Sequence, residues 1–315
     1  MAVELPSELI VQILSWLPSK SLLQCRSVCE SWLSLISSTQ FSHMHLQNFN
    51  QLNSRYLVRR RFIQKEEFAV HFDDHNFTLD TSSPIKFPYN FNLSGTGLLS
   101  FEIIGLSHDC LLESIITKSQ AQIYTVKTAI WREVVFPNDL PSFVFVNHSV
   151  FLNGFVHWVA YYWTSSDCSI LTFDMSKELF GEIKLPKSFD YQDIWGQRLA
   201  VVGDSLAIID NFNTLSCSCS YKIWVLKDYN NPISLTMRYT VEFYDYVARA
   251  LGLTNNGDLI MVGYNEGDVM ICKREGYCCS VYGSCSEGID SHYTFVERYQ
   301  ESLVLLDHGE LDVEA

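Results

Sequence analysis

The sequence predicts a two-part protein, in which a small α-helical module precedes a larger all-β domain built from repeated four-stranded units. Apolar residues near the start recur with the period of a helix, whereas those beyond residue 55 follow the alternation of a strand. Four similar strand-rich segments then follow at intervals of 46 to 53 residues. The length of 315 residues and the hydrophobic content of 47% suffice for one small and one large core.

The first helix is predicted between Pro6 and Pro18. Apolar residues at positions 9, 10, 13, 14 and 17 have the spacing of a helix with one buried face. Pro6 suits the first turn, where its missing N–H has no helical partner, and Glu8 complements the helix dipole. Pro18 then ends the helix.

Two further short helices complete the predicted module, and Ser19 or Ser21 can cap the first of them. Their apolar residues are Leu22, Leu23, Cys25, Val28, Cys29, Trp32, Leu35 and Ile36. A bundle this small is marginal unless a partner covers part of it. A DNA-binding helix-turn-helix would need a basic recognition helix, and residues 19–38 hold only Lys20 and Arg26 against Glu30. The pattern therefore favours docking onto another protein.

Residues 47–54 are polar and lack periodicity, which predicts a linker between a helical domain at 1–46 and a β domain at 55–306. Residues 56–58 and 68–72 read as the first strands, and the basic run 59–61 as an exposed edge or turn. An acidic tail is predicted at 307–315.

The β domain contains an internal repeat whose units begin at Ile123, Ile170, Ile223 and Val269. A predicted hairpin precedes each of the last three units, and a fourth lies near the end of the chain. Their turn signals are Asn153-Gly154, Gly203-Asp204-Ser205, Asn256-Gly257 and Gln300-Glu301. Units of 40–50 residues with four short strands are typical of a β-propeller, and the span leaves room for five or six blades. A single large sandwich is the alternative, but it does not predict the regular spacing.

Composition excludes several function classes. The formal net charge is −14, and nearly all of the acidity lies beyond residue 50, which disfavours nucleic-acid binding. The sequence lacks a long apolar run and the pattern of a signal peptide, so we expect a soluble protein of the cytoplasm or nucleus with reduced cysteines. The spacing of Cys272, Cys278, Cys279 and Cys285 is not that of a zinc site.

No cofactor, metal or catalytic site is predicted. His71 and His75 are four residues apart, but their surroundings read as a strand and turn rather than the helix that would bring both onto one metal. The sequence has no nucleotide-binding glycine loop, no Gly-x-Ser-x-Gly elbow and no repeated acidic pair of the glycosidase kind. Tyr161, Tyr162 and Trp163 at a strand end are candidate target contacts, with packing between blades as the alternative.

The opening segment resembles an F-box, the adaptor-binding module of modular ubiquitin ligases. The matching residues are Leu5, Pro6, Leu9, Ile13, Leu14, Leu17, Pro18, Leu22, Leu23, Val28, Cys29, Trp32 and Ile36, followed by Phe41 and His45-Leu46. Trp16 and Glu30 depart from the family pattern, which often has Arg and Lys there. The expected adaptor contacts are the matching residues from Leu5 to Ile36, together with Ile10.

The remainder resembles the F-box-associated domain of plant F-box proteins, which is related to kelch-like propellers. The resemblance rests on residues 150–158, 170–174, 180–186 and 223–229, together with Trp131-Arg132. Residues 105–111 only partly match the family's Gly-Ser-Cys-Asn-Gly-Leu strand, and the segments that usually follow it are absent. About one blade is therefore expected to be missing, so that the ring either closes with fewer blades or is gapped and less stable.

Together the resemblances imply a substrate receptor of a Skp-cullin-F-box ubiquitin ligase that does no bond chemistry. The F-box would bind a Skp-family adaptor, and through it cullin and a RING subunit, while the propeller holds a target protein for ubiquitination and degradation. Two alternatives stay open. One is a glycosidase-like propeller enzyme and the other is an interaction scaffold outside any ligase.

Overall fold

A computed structural model describes most of the helical segment and the strands of the β domain. The described residues are 6–52, 54–61, 66–74, 77–81, 104–107, 110–115, 120–125, 130–135, 143–162, 168–186, 189, 197–213, 219–229, 231–243, 247–263, 269–274, 278–282, 294–300 and 303. Within these ranges, none of the helices combines the length and apolar character needed to span a membrane. The predicted tail at 307–315 lies outside them.

Four helices open the chain: α1 (Ser7–Ser15), α2 (Ser19–Cys25), α3 (Glu30–Ile36) and α4 (Thr39–Leu52). The three predicted helices are confirmed. The predicted serine cap of α2 is wrong, because Pro18 occupies the N-cap position and its side chain makes no capping hydrogen bond. The carbonyl of Pro18 instead accepts the first intrahelical bonds, from the backbone N–H groups of Ser21 and Leu22.

Helix α4 was not predicted, and it continues through most of the expected linker. Its inner face carries Phe41, His45 and Phe49 at four-residue spacing, with the His45 ring stacked between the two phenylalanines. His45 Nε2 donates a 2.8 Å hydrogen bond to the carbonyl oxygen of Leu17, which fixes α4 against the turn between α1 and α2. The intervening Gln and Asn residues conceal this apolar face from a reading of composition alone.

The core of the helical module takes one residue from each helix: Leu14, Leu22, Ile36 and Phe41 are all at most 1% exposed. A fifth buried member of the same cluster is Leu303, which follows the last strand of the β domain. The helical module and the β domain therefore share a core residue.

Nineteen strands are described, all paired antiparallel within five sheets. They are β1 (Arg55–Arg61), β2 (Glu66–Phe72), β3 (Ile104–Ser107), β4 (Cys110–Ile115), β5 (Gln120–Thr125), β6 (Ile130–Val135), β7 (Phe143–Leu152), β8 (Phe155–Tyr162), β9 (Cys168–Asp174), β10 (Leu179–Lys184), β11 (Gln197–Val202), β12 (Ser205–Asn213), β13 (Cys219–Leu226), β14 (Leu235–Phe243), β15 (Val247–Leu253), β16 (Leu259–Gly263), β17 (Val269–Cys272), β18 (Cys278–Tyr282) and β19 (Phe295–Tyr299).

The repeat in the sequence corresponds to the sheets. Four sheets have four consecutive strands each, β3–β6, β7–β10, β11–β14 and β15–β18, and the predicted unit starts fall in the third strand of each. The Asn153-Gly154 turn joins β7 to β8 with both residues at positive φ, 53° and 83°, as a two-residue hairpin of this kind requires. The internal repeat and the hairpins at Asn153-Gly154, Gly203-Asp204-Ser205 and Asn256-Gly257 are thereby confirmed. The hairpin at Gln300-Glu301 stays a prediction, because Glu301 lies outside the described residues.

Neighbouring sheets contact each other mainly through one strand apiece, in the series β3, β7, β11, β15 and β19. We call these five the inter-sheet strands. Within the described residues there are four four-stranded sheets and one three-stranded sheet, ordered β19-β1-β2. The expected number of four-stranded blades and the closure of the ring remain predictions.

The segment that only partly matches the family pattern forms the four-stranded sheet β3–β6, and the expectation that about one blade is missing from the ring stays a prediction. One local expectation needs correction. Arg59 is not at an edge or turn, because β1 pairs with β19 on one side and β2 on the other. Its guanidinium lies over the rings of Phe68 and Phe295, which are its partners in those two strands.

Arg55 joins the helical module to the three-stranded sheet. Its guanidinium lies 5.4 Å from the ring centroid of Phe49 in α4 and 5.3 Å from that of Tyr299 in β19. Arg55 Nη1 also donates to Asp80 Oδ2 at 3.0 Å, and both side chains are buried. One cation therefore contacts both parts of the molecule.

Candidate docking surface on the helical module

Helix α1 has two apolar faces, whereas the sequence pattern predicted one. Leu14 is buried, and Ile10 and Leu17 pack partly against the same core. Leu9 and Ile13 point away from that core and are 45% and 54% exposed. The apolar stripe of α1 is thus wider than a core of this size can cover, and its outer part is left to solvent or to a partner.

The exposed apolar side chains of the chain are concentrated in this module. Ten large apolar residues are exposed in the described part of the chain, and six of them fall between residues 9 and 33. We call these six the docking residues: Leu9, Ile13, Trp16, Leu23, Val28 and Leu33. Isolated exposed apolar groups are normal on protein surfaces, but such a concentration on three short helices and the turns between them indicates an interaction site.

The residues predicted to contact an adaptor divide into three groups by burial. Those exposed are Pro6, Leu9, Ile13, Pro18, Leu23, Val28 and Cys29; those half-buried are Ile10, Leu17 and Trp32; those buried are Leu14, Leu22 and Ile36. Leu5 lies outside the described residues. The buried group supports the helices from within, so only the other two groups present surface to a partner.

Sequence reasoning missed two of the docking residues as contacts. Trp16 follows Ile13 by three residues, so it shares the outer face of α1, although in the sequence it stands out only as a departure from the F-box pattern. Leu33 follows Cys29 by four residues and stands on α3. A search for apolar residues outside the core-facing positions would have found both.

Cys29 is the one ionisable group among the expected contacts. Its sulfur is exposed and lies 3.1 Å from Ser31 Oγ. This hydrogen bond, with further bonds from the backbone of α3, lowers the pKa of the thiol.

Two of the three residues proposed to bind a target, Tyr161 and Tyr162, lie at the end of β8. Tyr161 is 6% exposed, and its hydroxyl donates to Gln197 Oε1 in β11, while Gln197 Nε2 donates to Asp210 Oδ1 at 2.6 Å. Burial raises the pKa of the neighbouring Cys168 thiol to about 12. Tyr161 thus packs between two sheets, as the alternative interpretation holds. The side chain of Tyr162 and the whole of Trp163 lie outside the described residues.

The candidate metal ligands that lie within the described residues, His71 and Cys272, are buried in the β domain. His71 is buried, and its Nδ1 donates a 2.7 Å hydrogen bond to the carbonyl oxygen of Phe77. Cys272 is buried in β17, while His75, Cys285 and the side chains of Cys278 and Cys279 lie outside the described residues. Within the described ranges, no group of three or more His, Cys, Asp or Glu residues is placed to hold a metal ion.

A cavity of about 140 Å³ lies beside the β15–β16 turn, lined by Asp73, Asp74, Thr254, Asn256, Asp258, Ile271 and Lys273. Ligand pockets are usually at least about 300 Å³. Burial raises the pKa of Asp73, and its carboxylate accepts bonds from the backbone N–H of Asn255 and the hydroxyl of Tyr56. This carboxylate therefore fastens β1 to the β15–β16 turn.

A glycosidase-like site would need two carboxylates that lie close together. The five inter-sheet strands are the place to look for them, because there the sheets contact each other. Their sequences contain a single acidic residue, Glu297 in β19. Two carboxylates flanking a scissile bond are the usual requirement of glycoside hydrolysis. These five strands alone do not supply such a pair.

The fold and the exposed helical face together define a class of protein with a docking module at one end and a repeated β-sheet domain after it. Comparison with known families agrees with both parts. A model described as "F-box-like" matches residues 2–47, and a model described as "F-box associated beta propeller domain" matches residues 94–305. The chain belongs to the F-box-associated β-propeller family and is an F-box protein of the plant type.

Curated relatives from Arabidopsis thaliana are also described as F-box proteins. F-box protein At3g08750 is 23% identical over 57% of this chain and 59% of its own length. F-box/LRR-repeat protein At2g43260 is 25% identical over 59% of this chain and 56% of its own length. F-box/WD-40 repeat-containing protein 1 is 22% identical over 73% of this chain and 67% of its own length. The chain thus spans little more than half the length of the first two relatives.

Solved structures resemble the chain only weakly. The crystal structure of TolB from Acinetobacter baumannii covers 80% of this chain and 61% of its own, with a TM-score of 0.40 and 12% identity.

Proposed function

We propose that the protein is the substrate-recognition subunit of a Skp-cullin-F-box ubiquitin ligase. In this proposal the helical module binds a Skp-family adaptor, and through it cullin and a RING subunit. The β domain holds a target protein for ubiquitination and degradation. The observation that carries the proposal is the set of six exposed docking residues on a module that matches the F-box family.

The protein would act by proximity rather than by bond chemistry. A target held by the β domain meets the ubiquitin thioester at a raised effective concentration, because both are tied to one assembly. A rigid connection between docking module and β domain helps to fix that distance, and Arg55 and Leu303 supply contacts across it. The receptor itself needs no catalytic residue for this role.

The proposal assigns different work to the two faces of α1. Leu9, Ile13 and Trp16 would contact the adaptor, and Leu14 would support them from the core. Apolar anchors at the centre of an interface carry most of its binding energy. Tyr162 and Trp163 are kept as proposed target contacts, whereas the burial of Tyr161 suits a supporting role.

Co-purification with a purified Skp-family adaptor tests the proposal. We expect the wild-type protein to retain adaptor and Ile13→Asp to lose it, because a carboxylate would be forced into an apolar interface. Ile233→Asp is the matched control, since Ile233 is 80% exposed on the loop before β14. Failure of the wild-type protein to retain any Skp-family adaptor, or equal retention by Ile13→Asp, would contradict the proposed docking.

A further inference from the structure

Leu303 belongs to the β domain by sequence but to the helical module by packing. It is 4% exposed and clusters with Leu14, Leu22, Ile36 and Phe41. Each of those four comes from a different helix, so Leu303 is the fifth member of a core that the helices do not complete alone. The F-box match covers residues 2–47 and does not include it.

The position of Leu303 depends on the sheet formed by β19, β1 and β2. It follows Tyr299, the last residue of β19, by four residues, and β19 is paired with β1 from Arg55 to Arg59. Four residues span at most about 14 Å. Pairing of β19 with β1 therefore holds Leu303 within reach of the helical core.

A second contact couples the same three elements. The Arg55 guanidinium lies between the rings of Phe49 in α4 and Tyr299 in β19, and it is held by the carboxylate of Asp80. Tyr299 is also the residue paired with Arg55 in the register of β1 and β19. Pairing of β19 thus places Tyr299 against Arg55 and Leu303 within the helical core at the same time.

We propose that Leu303 makes adaptor docking conditional on the folded β domain. A helical module of this size is marginal, and loss of one of its five core residues loosens the helices that present the docking residues. A chain whose β19 is unpaired would then have both an incomplete β domain and a weakened docking surface. This inference rests on the proposed function and adds a form of regulation to it.

Hydrogen exchange and adaptor retention, measured on the full chain, test the inference together. In Leu303→Ala we expect the amides of α1, α2 and α3 to exchange roughly thirty-fold faster or more, the low end for a buried leucine truncation. The amides of β12 and β13 should keep their wild-type rates, and adaptor retention should fall. Leu303→Met, which conserves volume, should stay close to wild type in both measurements.

Leu179→Ala is the matched control, because it makes the same change at a site that is 62% exposed on β10. Unchanged helix exchange in Leu303→Ala would overturn the inference, and so would equal acceleration in helices and sheets, which would show a global loss of stability. Faster helix exchange with full adaptor retention would also overturn it. If the wild-type protein retains no adaptor, the proposed function fails, and without docking to regulate the inference fails with it; the exchange rates then still show separately whether Leu303 couples the two parts.

Discussion

Arg55 and Asp80 form the buried ion pair of the described chain whose loss we expect to be most damaging. The two charges are 3.0 Å apart, with side chains 4% and 2% exposed. Removing one partner of a buried pair leaves the other charge without compensation in a medium of low dielectric constant, and this typically costs about 3–5 kcal/mol. The pair lies at the junction of α4, β1 and β19, where the helical module contacts the β domain.

We therefore expect Arg55→Ala to lower the free energy of unfolding by about 3–5 kcal/mol in urea titrations. The double variant Arg55→Ala/Asp80→Ala should recover part of the loss, because it removes the unpaired carboxylate. The control is Arg132→Ala, which breaks an ion pair with Glu178 in which the side chains are 43% and 35% exposed. That change should cost no more than about 1 kcal/mol. Equal losses in the two single variants would contradict the assigned role of Arg55.

His157 supplies a pH dependence with a defined sign. The ring is fully buried in β8, its Nδ1 donates to the carbonyl oxygen of Val150 at 3.0 Å, and burial lowers its pKa from 6.5 to about 4. Between these values the unfolded chain binds a proton that the folded chain does not. Stability is therefore fully present above pH 6.5 and falls as the pH decreases toward 4.

As the pH falls from 6.5 to 4, the titration of His157 should lower the free energy of unfolding by about 3 kcal/mol. Unfolding measured from pH 7 to pH 4.5 should show a weaker pH dependence in His157→Asn, whose amide can still donate to Val150. A slope unchanged by the substitution would mean that other groups, and not His157, account for acid destabilisation.

At the scale of elements, turn residues set the registers of the hairpins. Gly154 has a φ of +83°, and a Cβ built there would meet nothing within 4 Å. The cost of a side chain at this position is therefore conformational rather than steric. Gly252 in β15 also has open space around its missing Cβ but no positive φ.

We expect Gly154→Ala to reduce the free energy of unfolding by about 1 kcal/mol. Gly252→Ala should be neutral or slightly stabilising, because alanine restricts the unfolded chain at no cost to the strand. Thermal unfolding of both variants measures the difference. Equal melting temperatures would show that the turn does not depend on the left-handed conformation.

The elements also show what the sequence could and could not predict. Periodicity identified α1 to α3 and the third strand of each four-stranded sheet, because both signals are local. Helix α4 was missed because its stability comes from long-range contacts, in which Phe41 packs into the helical core and His45 bonds to the carbonyl oxygen of Leu17. The residues between them in the sequence are mostly polar. The second apolar face of α1 was missed for a related reason: the spacing of 9, 10, 13, 14 and 17 does not show how much of a stripe the core covers.

The contribution of Leu303 to the helical core could not have been predicted from the local sequence pattern. Its neighbours in space come from four helices that lie far away along the chain, and a single apolar residue after a strand has no periodicity. Likewise, the burial of Tyr161 depends on Gln197 and Asp210 in the next sheet. Long-range packing of this kind becomes visible only in three dimensions.

At the scale of the whole molecule, one chain joins a docking surface to a domain of repeated sheets. Of the net charge of −14, −9 lies in the β domain and −4 in residues 307–315, while the docking residues are apolar. The two surfaces thus suit different kinds of partner, and the contacts of Arg55 and Leu303 hold them in a fixed relation. The proposed receptor role depends on two binding surfaces held close together in this way.

The affinity for a purified Skp-family adaptor, measured by calorimetry, tests whether the exposed apolar face of the helical module is the docking surface. We expect Ile13→Ala/Val28→Ala to weaken binding at least tenfold, because apolar anchors dominate such interfaces. We expect Ile233→Ala/Met237→Ala, which truncates two exposed apolar residues on the β domain, to leave the affinity within about twofold. Equal affinities for the two double variants, with both proteins folded, would mean that this face does not bind the adaptor.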